Sequence, residues 1–106
     1  MAELVFCYMT AANMQEARKL MDILVEKKLA ACVNILGGIE SCYTWGGKSK
    51  RAREVALIAK TRKSLLPKLV AKIKEMHSYE NPCIIAFPIA GGNEDFLKWI
   101  ERATKG

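Results

Sequence analysis

The sequence is poor in the residues that carry most metal and acid–base chemistry. A single histidine, His77, stands among 106 residues. The four cysteines, Cys7, Cys32, Cys42 and Cys83, are scattered, and no Cys-x-x-Cys pair occurs. A structural zinc site needs clustered cysteine and histidine ligands, so this distribution argues against one. Only their even number hints at disulfides. Each lies in an apolar context, and the expectation is four free thiols packed as small hydrophobes in a reducing cytosol. No apolar run approaches the roughly 20 residues of a membrane helix. The opening MAELVFCYMT is apolar, but it lacks a basic n-region and carries Glu3, so it does not read as a signal peptide. A cytoplasmic protein with no membrane partner is expected. Catalytic signatures are missing too: no Gly-x-Ser-x-Gly elbow, no phosphate-binding glycine loop, no His-Glu-x-x-His pair. Cys32 or Cys83 as nucleophile with His77 as base is too generic to assign, because such a pair must meet in space. The chain is not expected to be an enzyme.

What is present is a globular composition, 51% hydrophobic and 26% charged. The length fits one domain over residues 1–106, whose core is small enough that a partner chain would matter. The net charge is +6, and its densest stretch is KSKRAR, with Lys48, Lys50, Arg51 and Arg53. Such a run can touch phosphates, but it more often forms a solvated loop, which is the expectation here.

The hydrophobic pattern orders the elements. ELVFCYMT (3–10) predicts a strand buried on both faces. Met14, Ala17, Leu20, Met21, Leu24 and Val25 recur at helical spacing, with Asn13 as cap and Glu16 placed to complete a capping box. AACVNILGGIESCYTW (30–45) predicts a long strand, bulged or bent at Gly37 and Gly38. Gly46 and Gly47 supply a turn, with KSKRARE beyond it, and EVALIAKT (54–61) returns as a strand. A second helix carries Leu66, Leu69, Val70, Ile73 and Met76, capped by Ser64 with Pro67 in its first turn. PCIIAFPI (82–89) is a fourth strand, with Pro88 marking an edge or an end. A third helix follows Asn93, with Phe96, Trp99, Ile100 and Ala103 as its stripe.

The order β-α-β-β-α-β-α contains the ferredoxin-like βαββαβ unit: an α+β fold with two helices on one face of a four-stranded sheet and an added C-terminal helix. LVFCYM, VALIA and CIIAF offer apolar side chains to both faces, whereas a sheet with one wet face alternates. The second face must then be covered, and one terminal helix is too small to do it. A sister subunit is the expected cover. A hairpin between the second and third strands that is too long for its own domain fits the same idea. An RNA-binding module of the same topology is the competing reading for a basic chain, but its third strand would carry stacking aromatics, and EVALIAKT has none.

EKKLAACVNI (26–35), SCYTWGGK (41–48), IAKT (58–61), MHSYENPCII (76–85) and FLKWI (96–100), in this order and spacing, resemble the CutA family of divalent-cation tolerance proteins. The resemblance covers nearly the whole chain, from about Leu4 to Trp99. It implies a ferredoxin-like homotrimer with hairpins reaching over neighbouring subunits, and a role in tolerance of copper and other divalent cations. The family is similar in fold to the PII signalling proteins, so a trimer that binds a small anion or metabolite is the alternative. In copper-binding relatives the ligands come from the end of the first strand and from the equivalent of MH. Those positions hold Met9, Met76 and His77 here, with methionine where the family site has cysteine and then histidine. Cys7 lies two residues earlier on the same strand face. Two thioethers and one imidazole suit Cu(I) better than Cu(II), zinc or magnesium. Copper is thus the metal ion and the one cofactor the resemblance points to. The ordinary reading of His77 is a residue in the last turn of a helix, complementing its carbonyls, and of the methionines, core filling. A second cluster, Tyr43, Trp45, Lys60, Tyr79 and Glu80, falls near clefts between subunits by the same resemblance. Aromatics flanking a lysine can hold a small anion or carboxylate. The competing reading is a subunit interface with Lys60 and Glu80 paired.

Overall fold

The computed structural model describes residues 2–105. The elements follow in the order β1 (Leu4–Ala11), α1 (Met14–Glu26), β2 (Cys32–Trp45), β3 (Lys48–Arg62), α2 (Leu66–Met76), β4 (Ile84–Pro88) and α3 (Glu94–Ala103). The sheet is antiparallel in the order β2-β3-β1-β4. This is the ferredoxin-like arrangement the element order predicts, with the third helix added.

The alternation of strand side chains decides where the core sits. Cys7, Met9 and Ala11 of β1 and Val55, Leu57 and Ala59 of β3 point to the helix side. They close against Ala17, Leu20 and Leu24 of α1 and Leu69 and Ile73 of α2. A side chain of the size of Met9, Leu20, Leu57 or Ile73, fully buried, stabilises the fold by about 1.5–3 kcal/mol. Thr61 is the polar member of the helix-side row, and its hydroxyl donates to the Leu29 carbonyl at 2.7 Å. That bond ties β3 to the connection after α1.

Capping at α1 works as the sequence predicts, with one extension. The Glu16 N–H donates to Asn13 Oδ1 at 2.8 Å. The Glu16 carboxylate, however, accepts from the Ala12 N–H at 2.9 Å and also from the Ser78 N–H at 2.8 Å, so the cap reaches across to the end of α2. At α3, Asn93 Oδ1 accepts from the Asp95 N–H at 3.1 Å.

Three expectations need correction. KSKRARE is not a loop: it is the first half of β3, paired residue for residue with Ile39–Trp45. The glycine turn is so tight, with φ of 58° at Gly46 and 77° at Gly47, that pairing begins at once on its far side. Ser64 does not cap α2. It lies within a short 3-10 turn, Lys63–Leu65, and the first turn of α2 has no side-chain cap. α1 ends at Glu26, where Lys28 takes a left-handed conformation (φ 57°) and the Leu29 and Ala30 N–H groups both donate to the Leu24 carbonyl. On α3 the buried stripe is Leu97, Ile100 and Ala103, packed with Leu4 and Ala31. Phe96 and Trp99 instead face outward, packed against each other in a tilted pair with ring centroids 5.3 Å apart. Arg62 holds this helix down through the Thr104 hydroxyl at 3.0 Å and the Glu101 carbonyl at 2.6 Å.

Among the described residues, no helix is long and apolar enough to cross a membrane.

Candidate functional site

The bulge in β2 decides what the long hairpin presents. Leu36 pairs with Ala56 and Ile39 with Glu54, so β2 spends three residues where β3 spends two. Gly38, at φ 72°, takes the conformation that the irregularity requires. One extra residue inverts the facing of everything beyond it. Before the bulge, Asn34 and Leu36 lie on the side away from the helices; after it, Ser41, Tyr43 and Trp45 do. Glu54 and Lys50 of β3 share that side.

The hairpin residues beyond the bulge, with Lys50, Glu54 and the 79–83 segment, enclose an open cleft of about 680 Å³. Its lining includes Tyr43, Trp45, Lys50, Glu54, Tyr79, Glu80 and Cys83. Tyr79 donates its O–H to Glu54 Oε2 at 2.8 Å, which joins the segment to the hairpin. Burial, followed by the hydrogen bond to Glu54 and its charge, pushes the Tyr79 phenol up to about 12, so it remains a donor. Burial, then the charge of Glu54, likewise pushes the Cys83 thiol up.

Of the aromatic cluster read from the sequence, Tyr43, Trp45, Tyr79 and Glu80 line this cleft and Lys60 does not. Lys60 projects from β3 opposite Cys32, and its ammonium donates to Asn34 Oδ1 and lies 3.8 Å from Cys32 Sγ. It forms no salt bridge with Glu80 among the described residues. The cation at the cleft is Lys50, and the central carboxylate is Glu54. Sequence reasoning missed Glu54, although the signal was there: it continues the alternation Ala56, Ile58, Lys60 and falls where the hairpin leaves the sheet.

His77 is the C-cap of α2, not part of its last turn, and its side chain is fully buried. Its backbone N–H donates to the Ile73 carbonyl at 2.8 Å, but its ring does not serve the α2 carbonyls. Ring atom Nε2 lies 2.7 Å from the Thr10 carbonyl at the end of β1, and Nδ1 lies 3.0 Å from the Tyr79 N–H. A carbonyl demands a donor and an N–H demands an acceptor. The ring is therefore the neutral tautomer protonated at Nε2. Its Nδ1 is 3.8 Å from Glu16 Oε1, too long for a hydrogen bond and already engaged with Tyr79. Burial pushes the Glu16 carboxyl up, but the hydrogen bonds it accepts from the Ala12 N–H and from the hydroxyl and N–H of Ser78 more than offset it, leaving its pKa below the usual carboxylate range. The Tyr79 ring packs against the imidazole in a tilted arrangement, with ring centroids 4.7 Å apart. His77 thus joins β1, α2 and the cleft segment.

Met9 lies fully buried in the core between the register partners Leu57 and Ile84. Met76 is partly exposed at the end of α2. Burial, then the neighbouring Cys83 thiol, pushes the Cys7 thiol up to about 11. All four cysteines are free. Among the described residues, no three histidine, cysteine, aspartate or glutamate side chains gather as a metal site.

Comparison with known proteins agrees with this architecture. Residues 5–103 match the family described as CutA1 divalent ion tolerance protein. The chain is 45% identical over 98 residues to the chloroplastic protein CutA of Arabidopsis thaliana, covering 92% of this chain and 54% of that protein, so it spans about half the length of that relative. It is also 45% identical over 100 residues to the divalent-cation tolerance protein CutA of Archaeoglobus fulgidus, covering 94% of this chain and 97% of the relative. The crystal structure of CutA1 from Oryza sativa superposes with a TM-score of 0.96 at 42% identity, over 98% of this chain and 95% of that one. Fold, order of elements and sequence agree across nearly the full length, and the chain belongs to the CutA1 divalent ion tolerance family.

Proposed function

We propose that this chain works as a homotrimeric binding protein in the cellular response to divalent cations, and not as a catalyst. The observation that carries the reading is the sheet face turned away from the helices. Leu36, Ile85 and Phe87 are each about half exposed there, at 48%, 51% and 50%, and Phe6 lies 6.4 Å from Phe87. Covering the exposed half of each of the three favours association by about 1 kcal/mol per side chain. The hairpin adds reach: its strands run 14 and 15 residues, and the molecule is 44 Å long but only 25 by 22 Å across. An extended arm beside an uncovered apolar face suits docking onto sister chains. Sedimentation of the purified chain tests this. The expected result is a trimer at micromolar concentration that Phe87→Asp dissociates. A wild-type monomer would overturn the reading.

The copper form of the reading rests on the donor types at Met9, Met76 and His77. It requires the imidazole to give up one backbone partner and Met9 to leave the core. Titration with Cu(I) against a competing chelator tests it, with His77→Ala expected to weaken binding; equal affinities would remove His77 from the account. The cytoplasm is the proposed compartment, since four free thiols persist where the medium is reducing.

A further inference from the structure

Glu54 is 9% exposed and lies where the hairpin leaves the sheet. One carboxylate oxygen, Oε2, accepts from Tyr79. No donor among the described residues reaches the other, Oε1, and Glu54 forms no salt bridge among them. Yet no sealed side-chain nitrogen or oxygen among those residues lacks a partner. Oε1 must therefore be open, and the open space beside Glu54 is the cleft. A largely buried carboxylate without a countercharge is costly, and the usual remedy is a cation that also donates hydrogen bonds.

The rest of the lining narrows the class of ligand. Two carboxylates, Glu54 and Glu80, face one ammonium, Lys50, which reaches neither of them within salt-bridge distance. That balance disfavours an anion. The donors do not gather for a metal ion. The walls are the rings of Tyr43, Trp45 and Tyr79, whose negative faces attract a delocalised or alkylated cation. The volume exceeds what one such group needs, so only its charged end is specified here.

We propose that the cleft is a receptor for an organic monocation, a guanidinium or primary ammonium group, which donates to Glu54 Oε1 and lies against Tyr43, Trp45 and Tyr79. The group is carried by a free small molecule or by an arginine or lysine of a second copy of the chain. The inference is independent of any metal. The high pKa of Tyr79 fits it: the phenol keeps its proton, donates it in a hydrogen bond to Glu54 Oε2 and leaves Oε1 to the ligand.

The probes are methylguanidinium and its neutral isostere methylurea, at constant ionic strength. With Trp99→Phe, Trp45 becomes the sole tryptophan and reports on the cleft by fluorescence. Methylguanidinium should give a saturable change that methylurea does not, and Glu54→Gln should weaken it by at least about tenfold, while still accepting from Tyr79. Native mass spectrometry separates the sources. If the cation belongs to a second copy, methylguanidinium and Glu54→Gln each loosen the assembly; if it belongs to a free molecule, the assembly stays unchanged in both. Equal responses to methylguanidinium and methylurea in the unmutated cleft overturn the proposal without relying on a variant. So does a Glu54→Gln protein that binds the probe and associates as before.

Discussion

Replacing His77 with alanine separates two accounts of the one histidine. The substitution removes a bond to the Thr10 carbonyl at 2.7 Å and another from the Tyr79 N–H at 3.0 Å. Each is worth about 1 kcal/mol net, and a buried carbonyl left without a donor costs about 1–3 kcal/mol. The ring contact with Tyr79 at 4.7 Å adds about 0.5–1.5 kcal/mol. These terms overlap, because one relaxation answers several losses, and about 3 kcal/mol is the expected cost. For a domain of this size that lowers Tm by about 12–24 °C. Thermal unfolding should be followed at equal protein concentration, since association raises Tm by mass action. His77→Gln, which retains a donor and an acceptor, should recover part of the loss; His77→Phe, which keeps volume but no polar atom, should not. A His77→Ala protein within about 0.5 kcal/mol of wild type would refute the structural account and leave ligand binding as the reason for the residue.

Two further outcomes test the hairpin and the alkaline limit. Deleting Gly37 removes the extra residue of the bulge, so Tyr43 and Trp45 should swing to the opposite face; Trp45 fluorescence should no longer respond to Tyr79→Phe, and an unchanged response would show that the bulge does not set the facing. Stability should fall as pH rises from about 9 to 12. Folding raises Cys7 to about 11 and Tyr79 to about 12, so their contribution is whole below the unfolded values and is lost as each folded value is passed. Cys7→Ala should remove the earlier part of that decline and Tyr79→Phe the later part, as measured by denaturant midpoints across the range.

The fold was legible because its elements are written in local chemistry. Asn13 and Asn93 cap the helices they precede, Gly46 and Gly47 turn the hairpin, and the Gly37–Gly38 pair marks the bulge. Where the reading failed, a tertiary partner had overruled a local preference. Basic KSKRARE looks like a solvated loop, but its partner strand lies directly across a two-residue turn and claims it. Phe96 and Trp99 fit a buried stripe by spacing, but α3 packs through the adjoining Leu97–Ile100 side, so the larger rings are turned out. Ser64 has cap chemistry, but the chain enters α2 through a 3-10 turn.

The site was harder to read, since its members come together only through register. Lys60 and Lys50 are both lysines on β3, and nothing local distinguishes them. The pairing of Cys32 with Lys60 places one beside Asn34, and the pairing of Tyr43 with Lys50 places the other at the cleft. The facing of Tyr43 depends in turn on a single inserted residue at the bulge. A one-residue change there leaves composition, charge and hydrophobic pattern almost unaltered, yet it would carry two aromatic rings away from Glu54. The chemistry of the cleft is therefore set less by which residues the hairpin contains than by where its ladder slips, and a family member without that slip should present a different surface from nearly the same sequence.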